Sequence, residues 1–165
     1  GKVKVTGLTS NGNVNFVKGL GLYDEVVTYQ ELEKISTDSN IAFVDMAGNR
    51  EVLGRIHHHF EDKLVYSCGV GITHWASRDG ADPKSLPGAK PTMFFAPSQM
   101  QKRNKEWGPA LFQEKLHTAW NSFLGSVDDW VTIKENACPE SVEETFERVR
   151  NGAPPNEGMV LVYKI

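Results

Sequence analysis

Two nearly continuous apolar runs, at residues 41–46 and 63–68, constrain the fold more than any other feature of this sequence. Runs of this kind are typical of parallel β-strands that are covered on both faces. Between them, residues 51–60 place Val52, Ile56 and Phe60 on one side of a helix. Strand, helix and strand joined by short connections form a βαβ unit, so the sequence predicts an α/β fold with a parallel sheet and helices on both faces.

The same alternation extends in both directions along the chain. We expect further strands at residues 3–8, 92–97, 130–133 and 158–165, and further helices at residues 13–20, 30–35, 97–107, 108–124 and 139–150. The helix at 108–124 carries an apolar stripe of Leu111, Phe112, Leu116, Ala119, Trp120 and Phe123. A length of 165 residues predicts one domain, with a βαβαβ core at 3–75, a polar loop at 76–91 and an α/β extension at 92–165.

Charge and composition exclude several classes of function. The 18 lysine and arginine residues are scattered and the net charge is −3, which argues against a basic face for nucleic acid. No apolar run approaches the roughly 20 residues of a membrane-spanning helix, and no signal-peptide pattern opens the sequence. Cys68 and Cys138 lie far apart, and neither demands an oxidising compartment. We therefore expect a cytoplasmic protein with no nucleic-acid or membrane partner.

Four motifs occur in an order that resembles a known family. They are Thr9-Ser10 with Asn13, Asp45-Met46-Ala47-Gly48, Thr73-His74-Trp75 after Gly69-Val70-Gly71, and Phe94-Phe95-Ala96-Pro97. Together they resemble the nucleotide-binding half of the zinc-independent medium-chain dehydrogenases/reductases, the quinone and enoyl reductase branch. The chain looks closer still to an uncharacterised fungal and bacterial offshoot of that branch. The similarity runs from about residue 3 to the end and thins between residues 98 and 140.

The resemblance implies a Rossmann-like, three-layer fold in which residues 3–8 form the second strand. The first strand with its Gly-rich turn and helix, and the small barrel-like domain before it, are not in this sequence. That turn is where backbone N–H groups hold the pyrophosphate of a dinucleotide. A chain that begins with Gly1 rather than Met fits an excised segment. Because an exposed strand edge tends to pair, we expect a homodimer or a missing N-terminal segment to cover it.

The resemblance also implies a cofactor, NADP(H), at the end of the strand at 3–8. NAD enzymes place a carboxylate there for the ribose 2′-hydroxyl, whereas this sequence has Thr9, Ser10 and Asn13 and no carboxylate before Asp24. Ser10 and Asn13 would contact a 2′-phosphate, Thr9 would lie beside them, and Tyr29 would close over it. The alternative is structural: Thr9 and Ser10 cap the following helix, and Asn11-Gly12 forms a turn.

Further candidates follow the two apolar strands. Asp45 would pass under the adenosine ribose, or else form a turn in which Gly48 supplies an unusual backbone angle. Gly69 and Gly71 would let a nicotinamide ring approach the backbone, although a lone G-x-G is a weak motif. His74 would be the proton donor, or a loop histidine. The substrate pocket would be walled by Trp75, Phe94 and Phe95, which otherwise belong to the core.

Metal and triad chemistry have little support in the sequence. His57, His58 and His59 are consecutive on a predicted helix, so their side chains point about 100° apart and cannot face one ion. No serine lies in a G-x-S-x-G elbow. Two functions stay open. One is the cofactor-binding part of an NADPH-dependent reductase that acts on a small-molecule enone, quinone or carbonyl. The other is a non-catalytic Rossmann-like domain for interaction or self-association.

Overall fold

The computed structural model of the chain describes residues 3–72, 82–136 and 140–162. It divides into two compact units, residues 1–106 and 107–165. The first unit contains β1 (Thr6–Thr9), α1 (Val14–Gly19), β2 (Glu25–Thr28), β3 (Ile41–Asp45), α2 (Arg50–Phe60), β4 (Leu64–Gly69), β5 (Thr92–Met93) and α3 (Ala96–Trp107), whose last residue lies at the boundary. Short 3₁₀ helices occur at Asn11–Asn13, Tyr29–Lys34 and Glu61–Lys63. The second unit contains α4 (Pro109–Val127), β6 (Thr132–Asn136), α5 (Glu140–Arg150) and β7 (Glu157–Leu161).

Every strand pair in the described residues is parallel. This confirms the predicted α/β fold with parallel sheets, which is consistent with a Rossmann-like architecture. The strands nevertheless do not form one sheet. The first unit has the separate sheets β1–β2 and β3–β4–β5, and the second unit has β6–β7. The two sheets of the first unit stay apart because no described strand lies hydrogen-bonded between β1 and β3.

The predicted βαβ unit is present as β3, α2 and β4. The prediction was wrong for residues 92–97, where only Thr92–Met93 form a strand. The helix α3 starts at Ala96, since Pro97 lies in its first turn, where no backbone N–H is needed. The brief helix predicted at 30–35 is the 3₁₀ helix Tyr29–Lys34, called the 29–34 helix below.

One buried cluster connects the two sheets of the first unit. It consists of Leu32, Val52, Ile56, Phe60 and Leu64. Leu8 of β1 and both Ile41 and Phe43 of β3 pack against it. The cluster therefore places α2 and the 29–34 helix on the face that β1 and β3 share.

Hydrogen bonds from the Arg55 side chain join α2 to the 29–34 helix. The Arg55 guanidinium donates to both carboxylate oxygens of Glu33, at 2.7 Å each, and to the Tyr29 carbonyl at 2.7 Å. The hydrogen bonds from Arg55 to its carboxylate are the largest cause that lowers the pKa of Glu33 from 4.5 to about 2. A bidentate pair of this kind fixes direction as well as distance.

The ion pair between Glu33 and Arg55 is expected to make the free energy of unfolding depend on pH. A carboxyl whose pKa is lower in the folded state stabilises that state above its unfolded pKa, and the contribution disappears as pH falls through the folded value. For Glu33 that window runs from 4.5 down to about 2. Urea denaturation of Glu33→Gln and of the wild type is therefore expected to differ at neutral pH and to converge near the lower limit. The same substitution in an Arg55→Met background is the control, and a pH-dependent difference that persists there would contradict the assignment.

In the second unit, α4 does not bury the apolar stripe predicted for it. Of the stripe residues only Phe112 is buried, whereas Leu116, Trp120 and Phe123 keep 50, 54 and 50 % of their surface exposed. The remaining elements of the unit contact one another, and Asn136 of β6 donates from Nδ2 to Thr145 Oγ1 of α5 at 2.9 Å.

Candidate functional site

A cavity of about 430 Å³ lies where β3, β4 and β5 end and α2 begins. Its lining includes Asp45, Gly48, Arg50, Gly69, Gly71 and Met93. In open α/β sheets, ligands bind beyond the carboxyl ends of the strands. A volume of this size is within the range of small-molecule pockets, so this edge of the sheet is the first candidate for a ligand site.

Asp45 forms the turn between β3 and α2. Its Oδ1 accepts hydrogen bonds from the amides of Ala47 at 3.0 Å and Gly48 at 2.8 Å, and Gly48 has φ +71°. The turn predicted as the structural alternative for Asp45 is therefore present. It leads into α2, where the side chain of Asn49 accepts from the amides of Glu51 and Val52.

The two glycines at the carboxyl end of β4 and just after it, Gly69 and Gly71, have a packing role. A Cβ added at Gly71 would lie 2.5 Å from the Met46 carbonyl oxygen, which is too close for any side chain. A Cβ at Gly69 would lie 3.0 Å from Met93 Sδ. The Asp45 carbonyl in turn accepts from the amides of Val70 at 2.7 Å and Gly71 at 3.3 Å. Close approach of the loops after β3 and β4 thus accounts for Gly71, while both glycines also border the cavity.

The polar residues at the end of β1 are not used as helix caps. Thr9 is buried, and Ser10 is exposed at the start of the 3₁₀ helix Asn11–Asn13. Neither Ser10 nor Asn13 makes a side-chain cap hydrogen bond. Only the backbone closes the turn, through the Asn13 amide and the Ser10 carbonyl at 3.0 Å. The capping role considered for Ser10 is therefore wrong, because backbone hydrogen bonds alone close this turn.

Tyr29 and Asp45 lie at the carboxyl ends of two strands and line the same groove. Tyr29 follows β2 directly, and Asp45 ends β3. Partial burial and the nearby charge of Asp45 raise the pKa of the Tyr29 hydroxyl. Both residues line a groove between β1 and β3. The carboxyl ends of β2 and β3 thus lie at the same edge of the first unit.

The remaining predicted site residues are placed only in part. His74 and Trp75 lie outside the described residues. Phe94 and Phe95 follow β5 with 45 and 62 % of their surface exposed, and the Phe94 amide donates to the Gly69 carbonyl at 2.8 Å. The lining of the cavity reaches Met93 and does not include either phenylalanine.

The three consecutive histidines have separate roles in the fold. His57 is fully buried, with Nδ1 2.7 Å from the Pro87 carbonyl oxygen and Nε2 3.0 Å from Ser67 Oγ. His59 Nε2 contacts the Ile35 carbonyl oxygen at 2.7 Å, and His58 is exposed. Within the described ranges, no three His, Cys, Asp or Glu side chains are grouped to hold a metal ion. The hydrogen bond between His57 and Ser67 was not predicted from the sequence. The only available signal was that His57 follows Ile56, which lies on the apolar side of the predicted helix.

One family matches this chain, and it covers residues 1–154. It is described as a protein of unknown function (DUF2855). The chain belongs to the DUF2855 family. No match to it was found among the curated proteins or the solved structures. Among the described residues of this DUF2855 member, no helix is both long enough and apolar enough to cross a membrane.

Proposed function

We propose that this DUF2855 chain is the nucleotide-binding portion of an NADPH-dependent reductase of the zinc-independent medium-chain type. The reaction would move a hydride to the activated double bond or carbonyl of an enone, a quinone or a similar small molecule. The observation that carries the proposal is that Ser10 and Asn13 follow the carboxyl end of a parallel strand and that neither side chain caps a helix. Their side chains are left for a ligand where dinucleotide folds distinguish NADP from NAD.

The surrounding charges support a 2′-phosphate at this position. Asp24 lies at the opposite end of β1, where its Oδ2 accepts from the Val5 amide at 2.9 Å. Glu31, in the 29–34 helix that follows β2, is paired with Lys34 at 2.7 Å. The hydrogen bond from Lys34, with a smaller contribution from the charge of Lys18, lowers the pKa of Glu31. Of these two carboxylates, one lies at the opposite end of β1 and the other is already paired with a lysine, which favours an anion at Ser10.

The cavity beside Gly69 and Gly71 is the proposed position of the nicotinamide ring, at the other end of the cofactor. Small residues at a strand end let a planar ring approach the backbone, and Arg50 in the first turn of α2 borders the same space. Bound NADPH would supply the hydride, and the protein would orient the ring and exclude water. Tyr29 and Asp45 line one groove. In this proposal Tyr29 would close over the 2′-phosphate, and Asp45 would pass under the adenosine ribose.

Titration of the chain with NADPH and NADH tests the proposal. Binding tighter than roughly 100 μM raises the melting temperature at millimolar nucleotide by mass action. We expect NADPH to raise it more than NADH, and its fluorescence to change on binding. Ser10→Glu is expected to remove the preference for NADPH, because a carboxylate repels the 2′-phosphate. Ser98→Glu, at an exposed position of α3, is the matched control. An unchanged preference in Ser10→Glu would remove Ser10 from the site.

A non-catalytic role is the second candidate, and the separated sheets of the first unit favour it. The turn at Asp45 and the close packing at Gly71 account for these residues without any ligand. If neither nucleotide changes the melting temperature, the cofactor proposal fails and an interaction domain becomes the better explanation.

A further inference from the structure

Two buried polar side chains of the first unit, Ser67 and His57, form a hydrogen-bonded pair that has no part in the proposed hydride transfer. Ser67 Oγ of β4 lies 3.0 Å from His57 Nε2 of α2. An imidazole within hydrogen-bond distance of a serine hydroxyl is the arrangement that activates serine as a nucleophile. Pairs of this kind also link elements of a fold, so the tautomer of the imidazole and the surroundings of the serine decide its chemistry.

The Pro87 carbonyl fixes the tautomer of His57. His57 Nδ1 lies 2.7 Å from this oxygen, which can only accept a hydrogen bond, so Nδ1 carries a hydrogen. In the neutral imidazole Nε2 is then an acceptor, and Ser67 Oγ donates to it. A general base needs this orientation to take the proton of a serine hydroxyl. Because a hydrogen bond strengthens when its donor becomes charged, the Pro87 carbonyl also stabilises the imidazolium.

Ser67 borders the cavity of about 430 Å³ at the carboxyl ends of β3, β4 and β5. Its hydroxyl points toward α2, and Arg50 and Leu53 of α2 border the same cavity. Leu53 and His57 are four residues apart and therefore lie on one face of the helix. The hydroxyl and the cavity thus share the space between β4 and α2. Since Ser67 keeps only 2 % of its surface exposed, a ligand in the cavity would meet its hydroxyl with little competing water.

The backbone of Ser67 is held as firmly as its side chain. Thr92 Oγ1 of β5 donates to the Ser67 carbonyl at 3.0 Å, and Ser67 is paired with Phe43 of β3 in the parallel sheet. Catalytic groups act most effectively when the fold fixes their positions before the substrate arrives. The position of the Ser67 hydroxyl is therefore set by the sheet and by α2 together.

The other residues of the cavity favour one class of ligand. Leu53, Ile72 and Met93 give it an apolar wall. Arg50 supplies a positive charge in the first turn of α2, and the carboxylate of Asp45 is engaged with the amides of its own turn. An acyl ester matches both features, because its acyl chain is apolar and its carbonyl oxygen becomes negative during nucleophilic attack.

We propose that Ser67 is the nucleophile of an acyl-transfer site, with His57 as its general base and a short-chain carboxylic ester as substrate. Ser67 Oγ attacks the carbonyl carbon, its proton passes to His57 Nε2, and Arg50 stabilises the oxyanion. The imidazolium then gives the proton to the leaving alkoxide as the C–O bond to the alcohol breaks. Water attacks the acyl-serine with His57 as base, which releases the carboxylic acid and restores the hydroxyl.

This inference does not rest on nucleotide binding. The ester and the nicotinamide ring proposed above would compete for one cavity, so either activity can be present without the other. The pair and the cavity wall belong to the first unit and need no partner chain, so the chain itself is the sample for the test.

Labelling with diisopropyl fluorophosphate tests the proposal. The probe reacts with activated serines, forming a bond between Oγ and phosphorus while fluoride leaves. Ser67 is expected to react at least about 100-fold faster than Ser98, an exposed serine of α3. Mass spectrometry of the digested protein quantifies both adducts. In urea the pair with His57 is lost, so the two serines of the unfolded chain are expected to react at similar rates.

Variants and an ester assay complete the test. Ser67→Ala is expected to lose the adduct and to hydrolyse p-nitrophenyl butyrate at least about 100-fold more slowly, whereas Ser98→Ala changes neither. His57→Gln keeps an acceptor for the Ser67 hydroxyl but removes the base, so labelling should slow about 100-fold while circular dichroism shows a folded chain. If His57→Gln does not fold, the comparison of folded and unfolded wild type decides.

Three results would overturn the proposal. One is an equal labelling rate at Ser67 and Ser98 in the folded wild type. The second is the absence of ester hydrolysis by the wild type. The third is hydrolysis that is unchanged in Ser67→Ala, because the ester would then react elsewhere on the chain.

Discussion

Replacing His57 with leucine is expected to reduce the free energy of unfolding by roughly 2–4 kcal/mol, because the buried Ser67 hydroxyl and the half-buried Pro87 carbonyl lose their hydrogen bonds. His57 is fully buried in α2 and bridges Ser67 of β4 and the Pro87 carbonyl. Leucine fills much of the space but offers neither a donor nor an acceptor. Urea denaturation followed by tryptophan fluorescence and circular dichroism measures the loss.

The neighbouring substitution His58→Leu is the control, since His58 is exposed on the same helix. It is expected to change stability by less than about 0.5 kcal/mol. The double variant His57→Leu with Ser67→Ala should recover part of the loss, because it removes the hydroxyl left without a partner. Equal stabilities of His57→Leu and His58→Leu would show that the His57 bridge contributes nothing.

Replacing Leu32 with alanine is expected to lower the free energy of unfolding by roughly 2–5 kcal/mol, the range for deleting a buried leucine side chain. Leu32 has no exposed surface and lies in the cluster that both sheets of the first unit share. The cavity left behind therefore weakens the packing of β1 and β3 together. Chemical denaturation gives the magnitude, and hydrogen exchange should show faster opening in both strands.

Leu22→Ala makes the same chemical change at a position that is 62 % exposed. It is expected to lie within about 0.5 kcal/mol of the wild type. A loss in Leu32→Ala no greater than in Leu22→Ala would mean that the cluster does not hold the sheets together.

The local parts of the fold could be predicted from the sequence. The apolar runs and the helical spacing between them place β3, α2 and β4 within a residue or two of their observed ends. Those signals come from residues close together in the chain. The split into separate sheets has no such signal, because strand neighbours are decided by contacts between distant residues. The stripe on α4 shows the same limit, since its spacing predicts the helix and not what covers it.

The position of the candidate site was partly predictable as well. Thr9, Tyr29, Asp45 and Gly69 each lie at or just after the carboxyl end of a strand, and parallel strands bring such ends to one edge. Which groups each of these side chains contacts was not predictable. Whether Ser10 caps a helix depends on its rotamer and on the backbone around it. The bridge made by His57 joins positions 10 and 30 residues away, beyond the reach of a periodicity argument.

The shared cluster also has a mechanical consequence. The two sheets of the first unit are connected through α2 and the 29–34 helix, and no backbone ladder joins β1 to β3 in the described residues. Side-chain packing resists compression better than it resists a small rotation, whereas a ladder resists both. The softest collective motion of this unit is therefore expected to be a hinge about the α2 face, on the microsecond to millisecond scale of such motions. Relaxation dispersion of the β1 and β3 amides would detect it.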